Sequence, residues 1–265
     1  MAKKLTNTPG TSLALSKPKS TGLAIPKHLQ GGKGRGTEAL QAKDMSMPFL
    51  RVGQDKTPLV ESGQVEEGNF YNTLTGESYG ESVAVIILHA MTGQLRFGDY
   101  GADEGILCRS DDGITAAQPN GKDAKGKPTA DCSLCVLKDW TKHERTGKDS
   151  PPECARHSKF FVLAGDNHDV CILDLSNTNF PAARKLNTML GQLAAQGLDA
   201  FARQFVLTAK KVTGGKFTYH IMEATQGEFA DEATFLKAEK VYEGMKNSFK
   251  QRAAANTDRE DSPKI

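Results

Sequence analysis

The sequence predicts a mainly β fold with helices (α+β), laid out as a small barrel of short strands with one long excursion and a C-terminal helix. Three observations lead there. Short β-branched and aromatic runs recur between Phe49 and Ile221, separated by Gly, Asn and Asp. One segment after Pro181 switches to a helical apolar period. A polar stretch from about 110 to 153 breaks the strand pattern and is flanked and punctuated by cysteines.

In chain order, the globular part opens at Met45, and Phe49–Val52 and Phe70–Asn72 read as first strands. Ser82–His89 is the clearest strand, because its run of Val, Ile and Leu is nearly continuous and too short for a helix. Thr92-Gly93 offers a turn, with Gln94–Tyr100 returning as a hairpin partner. After the excursion, Lys159–Ala164 and Val170–Leu175 form a hairpin around Asp166 and Asn167. Pro181 suits the first turn of a helix running to about Gly197, with Leu186, Met189, Leu190 and Leu193 as its stripe. Phe205–Thr208 and Phe217–Ile221 flank Gly214-Gly215 as another hairpin. Asp231 caps a last helix reaching about Ala254, with Phe235, Tyr242, Met245 and Phe249 on one side. Many short strands around one helix suit the oligonucleotide-binding (OB) type of barrel. A sheet with helices on one face is the competing layout.

The chain has 265 residues and 34 Lys plus Arg against 32 Asp plus Glu, so net charge discriminates nothing. Its distribution does. Residues 1–36 hold Lys3, Lys4, Lys17, Lys19, Lys27, Lys33 and Arg35, and the first carboxylate is Glu38. Residues 1–44 therefore read as a flexible basic arm, 45–254 as the domain and 255–265 as a flexible tail. No apolar run approaches the ~20 residues of a membrane span, and the N-terminus lacks a secretion signal. The expectation is a soluble, cytoplasmic protein with no membrane partner.

Four of the five cysteines lie within 47 residues: Cys108, Cys132, Cys135 and Cys154. Cys132-Ser-Leu-Cys135 has the two-residue spacing that brings two thiolates to one ion from a tight turn. Cys108 ends one strand and Cys154 precedes another, so the excursion leaves the sheet and returns near the same place. In a reducing compartment such a cluster reads as a structural Zn²⁺ site. Apart from Leu134, Val136, Leu137 and Trp140 the excursion has almost nothing to bury, whereas zinc–thiolate binding contributes on the order of 10 kcal/mol in comparable small sites. A Cys3His set, with His143 or His157 replacing Cys108, is the alternative. A redox pair at Cys132 and Cys135 lacks the βαβ context it would need. Cys171, inside an apolar run, reads as core.

No catalytic signature is present: no HExxH, no GxSxG, no dinucleotide fingerprint. Gly121–Lys127 lacks phosphate-loop spacing, and the acid pairs Glu66-Glu67 and Asp111-Asp112 sit beside glycines in turns. A closed zinc site also leaves no coordination position for chemistry. A non-enzyme is expected.

Single-stranded nucleic acid is held by rings that stack bases and cations that follow phosphates. The candidate aromatics are Tyr71, Phe97, Tyr100, Trp140, Phe217 and Tyr219, and the candidate cations are Arg51, Arg96, Arg109, Lys142, Lys210, Lys211 and Lys216. Lys210–Tyr219 forms a basic hairpin with Phe217 and Tyr219 on one face.

Phe70-Tyr-Asn-Thr-Leu-Thr-Gly-Glu77, Leu107-Cys-Arg-Ser-Asp-Asp-Gly113, Ala183-Arg-Lys-Leu-Asn187 and Phe205-Val-Leu-Thr208 resemble segments of bacteriophage single-stranded DNA-binding proteins, over roughly residues 45–250. A zinc insertion within an OB barrel is similar in plan to the helix-destabilising proteins of T-even-like phages. Those use one His and three Cys, whereas this chain offers four Cys. Its tail is only weakly acidic and ends in Pro263-Lys264-Ile265, which departs from recruitment of partners through an acidic tail. The resemblance implies single-stranded DNA as partner, in phage replication, recombination or repair inside an infected bacterial cell, together with phage replication or recombination proteins. The alternative is a zinc-stapled protein–protein or structural module that binds no nucleic acid.

Overall fold

A computed structural model describes residues 36, 46–98, 105–117, 120–142, 146–214, 217–247 and 249. The basic arm expected at 1–44, except Gly36, and the tail at 255–265 lie outside them. The elements are β1 (Leu50–Val52), α1 (Pro58–Glu61), β2 (Phe70–Asn72), β3 (Ser78–Gly80), β4 (Ser82–Phe97) and β5 (Ile106–Ser110). Two ribbons follow, β6 (Gly121–Lys122) with β7 (Pro128–Thr129) and β8 (Thr141–Lys142) with β9 (Asp149–Ser150). Then come β10 (Ala155–Ala164), β11 (Asp169–Ser176), α2 (Phe180–Ala195), β12 (Arg203–Gly214), β13 (Phe217–Phe229) and α3 (Glu232–Met245).

The main sheet has the order β11-β10-β4-β12-β13, with β5 also on β4. All its pairings are antiparallel. The fold is α+β and mostly β, as expected, but the strands do not close into a barrel. β11 and β13 stand at opposite ends of the order. The small sheet β1-β2-β3 joins the β11 side through one parallel bridge, Phe49 to Ile172. The outer edge of β13 is met by side chains instead of a strand. The Gln54 amide donates to the His220 carbonyl at 2.9 Å and accepts from the His220 amide at 2.8 Å. Asn179 Oδ1 accepts from the Met222 amide at 2.7 Å. Side-chain amides that satisfy an edge discourage another strand from pairing there.

Both faces of the sheet are buried, which also departs from the one-sided layout. Phe160, Val162, Val85, Ile87, Leu173 and Phe205 pack toward β1, β2 and the Leu186–Leu193 stripe of α2. Phe161, Leu163, Ile86, Leu88 and Ile172 pack toward α3 and Phe249. That explains why Lys159–Ala164 and Ser82–His89 are almost continuously apolar: a strand covered on both sides has no polar face to show. Phe160, Phe161 and Phe205 are fully buried, each contributing ~1.5–3 kcal/mol of transfer free energy.

Thr92-Gly93 is not a turn. β4 runs through it for 16 residues, and Gln94–Phe97 continues the same strand instead of returning. Glycine is there for closeness: a Cβ on Gly93 would lie 2.3 Å from the Ser110 carbonyl oxygen and 2.6 Å from His157 Nε2. The hairpins at 159–175 and 205–221 form as expected, with Gly214 opposite Phe217. The helix expected to start at Pro181 begins one residue earlier, and Gly197 follows its end at φ +72°. Asp231 caps α3 by accepting from the Thr234 amide at 2.8 Å.

Candidate functional site

The excursion between β5 and β10 is as poor in core as its composition implies. Among its described residues from 111 to 153, only Ala116, Gly121, Cys132 and Cys135 are buried. Cys108 and Cys154 frame its root. In β5, Cys108 pairs with Arg96 of β4; on the other side of β4, Ala155 pairs with Leu95, placing Cys154 beside the same stretch. The Cys154 thiol donates to Gln94 Oε1 at 3.4 Å. Cys108, Ala116 and Cys132 pack as one small cluster. The Cys132 amide donates to the Ile114 carbonyl, and the Cys154 amide donates to the Leu137 carbonyl, both at 2.9 Å.

All four cysteines are buried and reduced. Burial pushes the Cys154 thiol up to about 12, helped by the proximity of Cys108, Cys135 and Cys132 and opposed by Arg96. Cys108 is raised by burial and by Cys132 and Cys135, again opposed by Arg96. The four sulfurs therefore occupy one electrostatic neighbourhood in which thiolates repel one another. Among the described residues no group of three or more His, Cys, Asp or Glu is arranged as a metal cage. In donor chemistry, though not in arrangement, the four thiols are the soft set that zinc takes. His157 is not among them: its Nδ1 lies 3.2 Å from Asp174 Oδ1, and the ring is buried against Gly93. His143 lies outside the described residues.

The candidate nucleic-acid contacts divide into three places. At the cysteine end of β4 stand Arg96, Phe97 and Arg109, with Trp140 and Lys142 on the excursion. Trp140 is 68% exposed and Phe97 50% exposed, unusual for rings of that size. Arg96 pairs with Glu153 at 2.6 Å, Arg109 approaches Asp111 at 3.5 Å, and Lys142 is exposed. At the far end, β12 leaves β4 at Ser82, and the β12–β13 hairpin carries Lys210, Lys211 and half-buried Tyr219 beyond it. Lys210 and Lys211 pair with Glu223 and Glu67 at 2.9 and 3.5 Å. The two groups are thus separated by the length of a 16-residue strand, roughly 50 Å at ~3.3 Å per residue. Arg51 sits on β1 over the Phe49 ring, 5.1 Å from its centre. Tyr71 is a correction: at 4% exposure in β2 it is a packing residue and presents no face to a base. Tyr100, Lys216 and the side chain of Phe217 lie outside the described part.

Nothing in the sequence or among the described residues points to catalysis. Asp112 is spent on a turn, its Oδ1 accepting from the Ser110 hydroxyl and the Ile114 and Thr115 amides at 3.1, 2.9 and 2.9 Å. The cleft beside it, lined by Asp111, Thr115 and Ala117, is about 230 Å³, and one at Phe49, Arg51 and Leu74 is about 50 Å³. Both fall below the ~300–1,000 Å³ of small-molecule sites. Among the described residues no helix is long and apolar enough to cross a membrane. Sequence reasoning left Glu67 as a turn acid and passed over His220 and Gln54, which meet it beside the β12–β13 hairpin; nothing in their spacing signals it, because they come from two loop segments and a strand far apart in the chain.

No curated protein and no solved structure matches the chain. Residues 18–251 match the family described as Pam3 phage gp34-like protein. With most of its length matched, this chain belongs to the Pam3 phage gp34-like protein family and is a bacteriophage protein.

Proposed function

We propose that this phage protein binds single-stranded DNA without strong sequence preference, serving replication, recombination or repair. One observation supports the reading above the rest: Phe97, at the cysteine end of β4, and Trp140, on the excursion, present large exposed rings, with Arg96 on β4, Arg109 on the paired β5 and Lys138 and Lys142 on the excursion. Rings that stack and cations that neutralise phosphate are what such binding requires. Because β11 and β13 do not meet, the contact surface starts from this rim and is not the groove of an OB barrel. Cys108, Cys132, Cys135 and Cys154 would hold one zinc ion, whose bonds would cross-link the excursion that carries Trp140, while the protein residues do the binding.

The test is fluorescence anisotropy of labelled oligo(dT) at 50 and 200 mM salt, alongside metal content. Micromolar or tighter binding that falls steeply with salt is expected, since counterion release drives it. Absence of salt-dependent binding at micromolar protein rejects the reading.

A second reading has its own observation. On the same excursion as Trp140, Ile114, Leu134 and Val136 are 66%, 61% and 37% exposed. Apolar side chains at such density on one excursion also suit docking of a protein partner. Binding of that kind would survive high salt.

A further inference from the structure

Toward the turn end of the β12–β13 hairpin, where Lys211 pairs with His220, two basic side chains converge on one carboxylate oxygen. Lys211 Nζ lies 3.5 Å and His220 Nδ1 3.4 Å from Glu67 Oε1. The three differ sharply in exposure: the Lys211 side chain is 61% exposed, Glu67 34% and His220 9%. His220 Nδ1 is buried and makes no hydrogen bond, although it is within ion-pair distance of Glu67. A buried nitrogen left without a partner calls for an explanation.

The surroundings of the histidine are closely packed. Its backbone is clamped on both sides by the Gln54 amide. Behind the ring is Gly68 at φ +86°, where an added Cβ would come within 3.0 Å of Nε2. Gly68 is itself fixed by donating to the Gly53 carbonyl at 2.9 Å. Nδ1 thus faces the spot that Glu67 covers. The cover is a partly exposed side chain, 34% accessible, on the chain leading into β2.

We propose that His220 and Lys211 form a phosphate subsite toward the turn end of the hairpin, and that Glu67 is its built-in competitor, a carboxylate held where a backbone phosphate of bound DNA would sit. The inference deepens the single-stranded DNA reading and rests on it for the identity of the phosphate. When the strand reaches the hairpin, its phosphate displaces Glu67 into solvent, accepts from His220 Nδ1 and takes Lys211 as counter-charge. A cation in place of the phosphate is disfavoured by Lys211, which faces the same point. Until displacement, Glu67 keeps the far end of the sheet from gripping polyanions indiscriminately.

The test compares wild type with Glu67→Gln, Glu67→Gln/Lys211→Met and Glu67→Gln/His220→Phe, all checked for unchanged melting. Binding of oligo(dT) is measured across salt, and the histidine ring signals are followed by NMR during titration with inorganic phosphate. Glu67→Gln is expected to tighten oligo(dT) binding by about fivefold and to steepen the log–log salt slope by about 0.7, the increment for one further phosphate. Either second substitution should erase both gains. In Glu67→Gln, inorganic phosphate alone should shift the His220 signals saturably, and in wild type only weakly. Should the wild type bind oligo(dT) and Glu67→Gln leave affinity and slope unchanged, the subsite is overturned while DNA binding stands. Should no variant bind oligo(dT), the DNA reading falls and the phosphate titration decides alone: a saturable His220 shift keeps the subsite as one for free phosphate, and no shift removes it.

Discussion

The backbone amide of Cys154 donates to the carbonyl of Leu137 at 2.9 Å, tying the last cysteine of the cluster to the short turn that leads into Trp140. Order at the sulfurs is thereby passed to the exposed ring three residues further on. The excursion has almost no apolar interior, so the cluster and a few backbone bonds are what hold that ring in place.

Trp140 is the single tryptophan of the chain, so its fluorescence reports the excursion without interference. Purified protein is expected to carry one zinc per chain. Chelation should shift Trp140 emission and raise its anisotropic mobility, while far-UV circular dichroism keeps the β signature of the main sheet. Cys135→Ser should reproduce the chelated state. Unchanged Trp140 emission after chelation, or metal far below one per chain, counts against the zinc assignment.

Trp140→Ala should weaken oligo(dT) binding by ~1–3 kcal/mol, the worth of one stacked base, with little change in melting because the ring is 68% exposed. Phe97→Ala should act in the same direction. Tyr71→Ala is the contrasting case: buried in β2, it should lower stability and leave the affinity of the remaining folded protein unaltered.

Leu186 is fully buried where α2 crosses the main sheet. Leu186→Ala should therefore cost ~2–5 kcal/mol, the range for an aliphatic side chain removed from a packed core. Urea unfolding measures it as a lower midpoint at constant slope.

Acidification should destabilise the fold through His89. Its ring stacks on Phe249, centres 4.5 Å apart, and burial holds its pKa below the ordinary 6.5. The folded state thus prefers the neutral ring, and the unfolded chain binds the proton more readily. That contribution is complete above pH ~6.5 and is lost as pH falls below it. His168, lowered by burial and by Lys237, adds to the same trend. Urea midpoints at pH 7.5 and 5.5 should differ in wild type and differ less in His89→Phe.

Much of this was legible in the chain. Alternation and β-branching placed the strands of both hairpins, because those residues fit a pleated, covered surface. The stripe Leu186, Met189, Leu190, Leu193 placed α2, and Asp231 marked the start of α3. The poverty of apolar residues between 111 and 153 foretold an excursion without a core, and Cys108 and Cys154 stand at its root, in β5 and just before β10.

Other features depend on distance across the fold, which local pattern does not encode. Gly93 looked like a turn because glycine favours turns, yet it lies in mid-strand where Ser110 and His157 come too close for a side chain. A continuous apolar strand is compatible with a barrel wall or a sheet covered twice, and the packing of α2 and α3 on opposite faces chose the second. Composition put Lys210 and Trp140 in one list of contacts, while the register of β4 with β12 and β5 sends them to opposite ends of a 16-residue strand. The meeting of Glu67, Lys211 and His220 arises only when Gln54 caps β13, since residues 54, 67, 211 and 220 become neighbours through long-range backbone pairing and through nothing periodic in the chain.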